Sequence, residues 1–311
     1  MGLALGATGV VFQFRWCMMR PGFCACRTSV PRVTSKVKFS NTFMTNFDVA
    51  GKIALVTGGT RGLGLHVAEC FVLNDASVVI ITSRKPDACA SAKLELENIA
   101  KSNGKACKII SIACDISKDA DLKSFVGKVS AEVDRLDILI ANAGATYGEK
   151  FDTHPIEAVR KVLELNITGV FHTIQLFAPL LQKAGTNEDP SRVVIVSSVA
   201  SLIATDFGGT YGYLASKAGV AHLGKNLALT LASKHINVNT IAPGFFETKM
   251  TKGMLKTKGD EMVRGNPLGR LGSKQDIQSA VLWLCAKQSN YINGIVLPID
   301  GGLNLVGTAN L

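Results

Sequence analysis

The sequence predicts an α/β protein: a doubly wound parallel sheet with helices on both faces, in a single domain spanning residues 44–311. Three observations carry this. From Lys52 onward, short β-branched runs alternate regularly with stretches of helical apolar spacing. The runs are apolar throughout, as strands covered on both faces must be. No internal repeat and no linker interrupts residues 48–311.

The elements follow in order. Ile53–Thr57 reads as a strand, then a glycine-rich turn, then a helix to about Leu73. Ser77–Thr82 is a second strand, before a polar helix over Asp87–Ser102. Cys107–Cys114 is a third strand, with a helix near Asp119–Val133, and Asp137–Ala141 is a fourth. Two helices, Ile156–Leu165 and Ile167–Leu181, lead to the strand Arg192–Ser197. A long helix carries Tyr213 and the apolar spacing of Val220–Leu229. Strand Asn237–Ile241, helix Lys274–Cys285 and strand Gly294–Ile299 complete the alternation.

Composition narrows the function. Apolar residues make up 47% of the 311 and charged residues 19%, which suits a globular chain and excludes a disordered one. No uninterrupted apolar run reaches the length of a bilayer span. The eight cysteines have neither disulfide nor zinc spacing, and Cys24-x-Cys26 lacks a second pair nearby. They read as free thiols of a reducing compartment, with no metal site. The net charge of +10 is uneven: Arg15, Arg20, Arg27, Arg32, Lys36 and Lys38 fall within residues 1–43, which hold no acid. Without them the charge is ordinary, and no basic stripe suggests nucleic acid. Residues 1–43 form a basic presegment, either an organelle transit peptide or an extension ahead of a start at Met44.

Two stretches carry chemistry. Thr57-Gly58-Gly59-Thr60-Arg61-Gly62-Leu63-Gly64 lies between a strand and a helix, where glycines let backbone N–H groups approach a pyrophosphate at the helix N-terminus. At the end of the second strand, Thr82-Ser83-Arg84-Lys85 contains no carboxylate to hold a ribose 2′-hydroxyl. Ser83 and Arg84, with Arg61 opposite, suit a 2′-phosphate instead, so the expected cofactor is NADP(H). The second stretch is Gly212-Tyr213-Leu214-Ala215-Ser216-Lys217. Tyr213 and Lys217 stand one helical turn apart on one face, and the ammonium is expected to lower the phenol's pKa from about 10. Tyr211 has Ala215 at the matching position, so it is not the acid.

Taken in order, these motifs resemble the short-chain dehydrogenases/reductases over residues 48–311. The resemblance rests on Thr57-Gly58-x-x-x-Gly62-x-Gly64, Asp115, Asn142-Ala143-Gly144, Asn166, Ser197-Ser198, Tyr213-x-x-x-Lys217, Pro243-Gly244 and Asp300-Gly301-Gly302. It implies a Rossmann-like fold with a small substrate lid. Tyr213 would donate the proton to a substrate carbonyl, Lys217 would lower its pKa and hold the nicotinamide ribose, and Ser198 would polarise the carbonyl oxygen. Asn166 would hold a water that relays protons to Lys217. Asp115 and Ile116 would contact the adenine, and Asn142, Ala143 and Gly144 would line the cofactor. Pro243, Gly244 and Thr248 would position the nicotinamide. The serine-to-tyrosine interval is two residues longer than the family's usual one, which implies an insertion near Thr205–Gly209 and leaves Ser201 as the alternative to Ser198.

Within the family the chain is most similar to 3-oxoacyl-[acyl-carrier-protein] reductases, including the rhamnolipid type. Enoyl reductases place six residues between Tyr and Lys; the three here favour ketone reduction, and a dienoyl reductase would lack the tyrosine. The expected substrate is a 3-oxoacyl thioester carried by coenzyme A or an acyl-carrier protein. Other carbonyls (polyketide, sugar, steroid, quinone) and a non-catalytic NADP-sensing regulator are the alternatives. Lys249–Arg270 is the expected lid, with Lys249, Lys252, Lys256, Lys258, Arg264 and Arg270 for phosphates and Met250, Met254 and Met262 for an acyl chain. His154, His172, His222 and His235 show no clustering, and Trp283 reads as core or subunit interface. A homotetramer is the family's usual assembly. The expected location is mitochondrial with a working transit peptide and otherwise cytoplasmic, or peroxisomal from the weak terminal Ala309-Asn310-Leu311.

Overall fold

The computed structural model describes residues 47–204, 208–248, 251 and 259–306. The presegment, lid residues 249–250 and 252–258, the centre of the inserted loop and the terminal tripeptide lie outside the described residues. Seven strands form one parallel sheet: β1 (Ile53–Thr57), β2 (Val78–Ser83), β3 (Lys108–Ala113), β4 (Ile138–Ala141), β5 (Ser191–Val196), β6 (Ile236–Pro243) and β7 (Val296–Ile299). Their order is β3-β2-β1-β4-β5-β6-β7, so the winding reverses between β1 and β4. In such a sheet a crevice opens beyond the carboxyl ends of those two strands.

Among the described residues the helices include α1 (Gly62–Leu73), α2 (Pro86–Ser102), α3 (Asp119–Glu132), α4 (Ile156–Leu163), α5 (Gly169–Ala184), α6 (Tyr211–Leu231) and α7 (Lys274–Cys285), all but α4 packing on the sheet. Helical backbone also runs over 259–264. Alternate strand residues feed two cores. Leu55, Leu139, Val193 and Val238 pack with Phe125 of α3, Phe177 of α5 and Val220 of α6. Ala54, Val56, Ile140 and Val194 pack with Phe71 of α1, Leu96 of α2 and Val281 of α7. The period of two along each strand thus gives both faces a fully apolar side. Trp283 is partly buried against the second core.

Most expected elements stand within a residue or two of their places. One differs in kind. The two helices expected on either side of Asn166 are continuous, joined by the π turn Glu164–Thr168 in which Gly169 N–H reaches back to Glu164 O. A π turn inserts one residue without breaking the rod, so apolar spacing shows a slip in phase and reads as two helices. Pro298 sits in β7, the edge strand, where a missing N–H costs no ladder bond on the outer side.

Candidate active site

The carboxyl ends of the strands border a cavity of about 240 Å³. On one wall the turn after β1 is held open by close packing. Gly58 has φ +63, and a Cβ there would come within 2.9 Å of Asn142 Nδ2. Asn142 Nδ2 donates to Thr57 O at 2.9 Å and Gly58 O at 3.1 Å, while Thr57 Oγ1 accepts from Asn142 N and Ala143 N at 3.0 and 3.1 Å. The turn after β4 therefore clamps the turn after β1. Helix α1 begins without a side-chain cap, which leaves its first N–H groups for an anion. Thr248, beyond β6, closes the opposite side, within 3.5 Å of where a Cβ on Gly62 would stand.

Of the expected cofactor residues, Gly58, Thr60, Arg61, Gly62, Leu63, Ser83, Arg84, Asp115, Ile116, Asn142, Ala143, Gly144, Pro243, Gly244 and Thr248 all border the cavity, with Tyr213 and Lys217. Gly64 does not. A Cβ at Gly64 would strike Gly58 O and Asn142 Nδ2, so this glycine serves the packing of helix on turn rather than contact with a ligand. Arg61 and Arg84 are exposed, and Ser83 is half-buried between them and the strand. Thr82, 1% exposed, borders the same cavity, and its Oγ1 has no hydrogen-bond partner among the described residues. A buried orphan hydroxyl at this point fits a ligand or water held on the strand end.

At the other end, Tyr213 projects from the first turn of α6 and lines the cavity with Ser198, which caps a short 3₁₀ turn after β5. Ser201 is turned away: its Oγ donates to Ser198 O at 2.7 Å. Lys217 is 5% exposed. Its Nζ donates to Val196 O at 2.8 Å and lies 5.7 Å from the centroid of the Tyr213 ring. The pKa relation differs from the one expected from spacing. Burial pushes the Tyr213 phenol above its ordinary value, against a smaller lowering by the Ser198 hydrogen bond. Burial alone pushes Lys217 down to about 8. Desolvation disfavours the charged form of each group, and the ammonium sits over the ring while bonded to a carbonyl.

Asn166 stands behind the cavity wall. It is 1% exposed, in the π turn, and does not border the cavity. Its Nδ2 donates to Ala145 O and Ser216 Oγ, both at 2.9 Å, and its Oδ1 accepts from Ala145 N at 2.9 Å. Ser216 Oγ in turn donates to Tyr213 O at 2.7 Å. The side chain is a brace between the β4 turn and the helix of the tyrosine: both Nδ2 hydrogens are committed to protein, and Oδ1 keeps one acceptor position beyond Ala145 N–H.

Sequence reasoning missed Cys114, Leu165, Val196, Phe246 and Thr251, which also line the cavity; Cys114 and Val196 stand at strand ends, Leu165 in the π turn, and Phe246 and Thr251 in the segment after β6. It also missed a surface cluster outside that wall, in which His154 meets Tyr147 and Tyr211 edge-on at 5.5 Å each, and Phe151 meets Tyr211 at 5.9 Å. Of the expected lid cations, Arg270 is already paired with Asp276 at 2.6 and 3.0 Å, and Arg264 is exposed. Met262 is buried in the protein rather than presented to a ligand. His172 is likewise engaged, with Asp119 at 2.7 Å. Among the described residues no cluster of potential ligands could hold a metal, and no helix is long and apolar enough to cross a membrane.

Comparison with known proteins agrees with this arrangement. Residues 58–304 match the family model described as enoyl-(acyl carrier protein) reductase, within the short-chain dehydrogenases/reductases. The chain belongs to the short-chain dehydrogenase/reductase family. The reductase is 36% identical over 264 residues to the rhamnolipids biosynthesis 3-oxoacyl-[acyl-carrier-protein] reductase of Pseudomonas aeruginosa, covering 83% of this chain and 98% of that one. It is 31% identical over 259 residues to the 7alpha-hydroxysteroid dehydrogenase of Escherichia coli, covering 83% and 96%. The solved Pseudomonas aeruginosa RhlG/NADP active-site complex superposes with a TM-score of 0.77 at 35% identity, covering 83% of this chain and 98% of that chain.

Proposed function

We propose that this short-chain dehydrogenase/reductase is an NADPH-dependent reductase that converts a ketone to a secondary alcohol, with a 3-oxoacyl thioester as its substrate. The observation that carries the reading is that Ser198, Tyr213 and Lys217 line the inner end of a cavity whose outer end is a phosphate-binding turn. The glycine cradle, the uncapped start of α1 and the orphan hydroxyl of Thr82 fit a dinucleotide. Ser83, Arg84 and Arg61 fit its 2′-phosphate, in keeping with the RhlG/NADP complex. When bound, NADPH supplies the hydride.

The chain's own residues supply the rest. Tyr213 and Ser198 donate hydrogen bonds to the carbonyl oxygen, where negative charge develops, and Tyr213 gives up its proton there. A raised phenol pKa keeps Tyr213 protonated and ready to donate at neutral pH. Lys217 holds the nicotinamide ribose and stabilises the phenolate once the proton has left. The Asn166–Ser216 brace fixes the backbone of Tyr213 against the turn carrying Gly144. The similarity to the rhamnolipid 3-oxoacyl reductase favours a thioester, and the steroid dehydrogenase relative keeps a free carbonyl as the second reading. The acyl carrier is an acyl-carrier protein or coenzyme A, and assembly as a homotetramer is part of the same proposal.

The test is NADPH oxidation by the full chain with acetoacetyl-coenzyme A and a longer 3-oxoacyl thioester, beside a panel of free ketones, steroids and quinones. A higher kcat/KM for the longer thioester is expected. Turnover confined to free carbonyls would overturn the thioester assignment and leave the carbonyl chemistry in place.

A further inference from the structure

We propose that Cys89 is a positioning residue for cofactor selectivity, its buried thiol setting the hydroxyl of Ser83 on the cavity wall so that NADPH is preferred over NADH. The proposal rests on the reading of the cavity as an NADP(H) site. Cys89 lies in the first turn of α2 and is 4% exposed. Its Sγ is 3.5 Å from Ser83 Oγ, and its thiol donates to Ser83 O at 3.6 Å. The same carbonyl accepts Cys114 N–H at 2.9 Å. The backbone of Ser83 is thus pinned from the α2 side and from the β3 side; its hydroxyl meets the sulfur, and the residue borders the cavity. Thr82, the preceding residue of β2, also borders the cavity, and its buried Oγ1 has no partner among the described residues. Two hydroxyls at one strand end suit a ligand rich in acceptor oxygens.

The choice of sulfur has a physical consequence. A thiol is a weak donor and a weak acceptor, so the hydroxyl it holds gives up little when it turns to a phosphate oxygen. A bond to a charged phosphate is about twice as strong as a neutral one, which makes the exchange favourable. An oxygen in the same place would hold the Ser83 hydroxyl in an ordinary hydrogen bond and compete with the phosphate. With no group there, the hydroxyl would spread over its three staggered rotamers. The thiol keeps one orientation without capturing the donor. NADH carries no 2′-phosphate, so its affinity is independent of this exchange.

The experiment is a double-mutant cycle read by direct binding. Dissociation constants for NADPH and NADH are measured by cofactor fluorescence on the full chain for the wild type, Ser83→Ala, Cys89→Ser and the double variant. Cys89→Ser should weaken NADPH about fivefold, as the loss of one neutral hydrogen bond's worth of exchange implies, and leave NADH within about twofold. Added to Ser83→Ala, it should cause no further loss of NADPH affinity, because it acts through that hydroxyl. Cys89→Ala, which brings no competing oxygen, should lose less selectivity than Cys89→Ser and carries the same cycle if the serine variant folds poorly. Equal weakening of both cofactors, additive losses in the double variant, or a larger loss for alanine than for serine would overturn the role of Cys89. An unchanged NADPH/NADH ratio in Ser83→Ala would instead remove Ser83 from the phosphate site, and the proposal with it.

Discussion

Lys217→Met should stabilise the apoprotein near neutral pH and do so less as the pH rises. Lys217 is 5% exposed, and its pKa falls from an ordinary 10.5 to about 8 because burial disfavours the ammonium. Below pH 8 the folded and unfolded chains both hold the proton, and the folded chain bears the whole cost of the buried charge, about 3 kcal/mol. Between 8 and 10.5 the unfolded chain holds more protons than the folded one. Stability therefore rises with pH in that window, by about 2 kcal/mol at pH 9.5. Methionine removes the charge but also the bond from Nζ to Val196 O, worth about 1 kcal/mol. The variant should exceed the wild type by about 2 kcal/mol at pH 6.5 and match it within about 1 kcal/mol at pH 9.5.

The assay is urea unfolding of both proteins at the two pH values without added cofactor. Buried thiols complicate the absolute values: Cys70 and Cys107 are pushed up to about 11 and Cys114 to about 12, so each lowers stability as the pH climbs above the ordinary thiol value. The same thiols are present in both proteins, and their contribution cancels in the difference. A difference between variant and wild type that stays constant from pH 6.5 to 9.5 would refute the burial argument for Lys217.

Other substitutions test the remaining groups. Tyr213→Phe should lower kcat for ketone reduction about a thousandfold or more while NADPH binding, followed by fluorescence, stays near the wild-type value; substantial turnover would remove Tyr213 as the acid. Ser198→Ala should lower kcat about a hundredfold, whereas Ser201→Ala should leave it within about twofold, because the Ser201 hydroxyl serves a backbone carbonyl. The reverse ranking would move the polarising role to Ser201. Arg84→Ala should weaken NADPH about tenfold and NADH hardly at all, and equal losses would refute the phosphate contact.

What could be read in the sequence follows from which forces act locally. Strands buried on both faces announce themselves as apolar runs, so the sheet was legible from Ile53 to Ile299. The phosphate turn was legible because glycines at a strand–helix junction have few other uses. Gly64 and Asn166 stood out as special residues, but their tasks depend on atoms far along the chain, Asn142 Nδ2 and Ala145 O. The interval between Ser198 and Tyr213 left two serines open; the bond of 2.7 Å from Ser201 to the Ser198 carbonyl, which no spacing announces, supports the proposed role of Ser198. Spacing along a helix counts the charge beside Tyr213 and says nothing of burial, which is why the shift of that phenol runs opposite to the one expected. Ser83 and Cys89 meet only because α2 folds back over the end of β2, a relation that no helical or strand period contains.

The two edges of the sheet divide the work of stability and function. At the amino ends of β1, β4 and β5, charges are paired, although Nε and Nη1 of the buried Arg192 find no hydrogen-bond partner among the described residues. Lys52 reaches Asp189 at 2.6 Å and Asp137 at 3.5 Å, Arg192 reaches Asp189 at 3.3 Å, and Asp137 accepts Ile53 N–H at 2.9 Å. At the carboxyl ends the groups are left unmatched: a buried ammonium with one carbonyl, an orphan Thr82 hydroxyl, helices α1 and α2 without side-chain caps. Each of these costs folding free energy, and each is a group a bound dinucleotide or a developing oxyanion would satisfy. Cofactor binding should therefore stabilise this chain by relieving those costs at one edge, and the stabilisation should shrink in Lys217→Met, where the largest of them has already been removed.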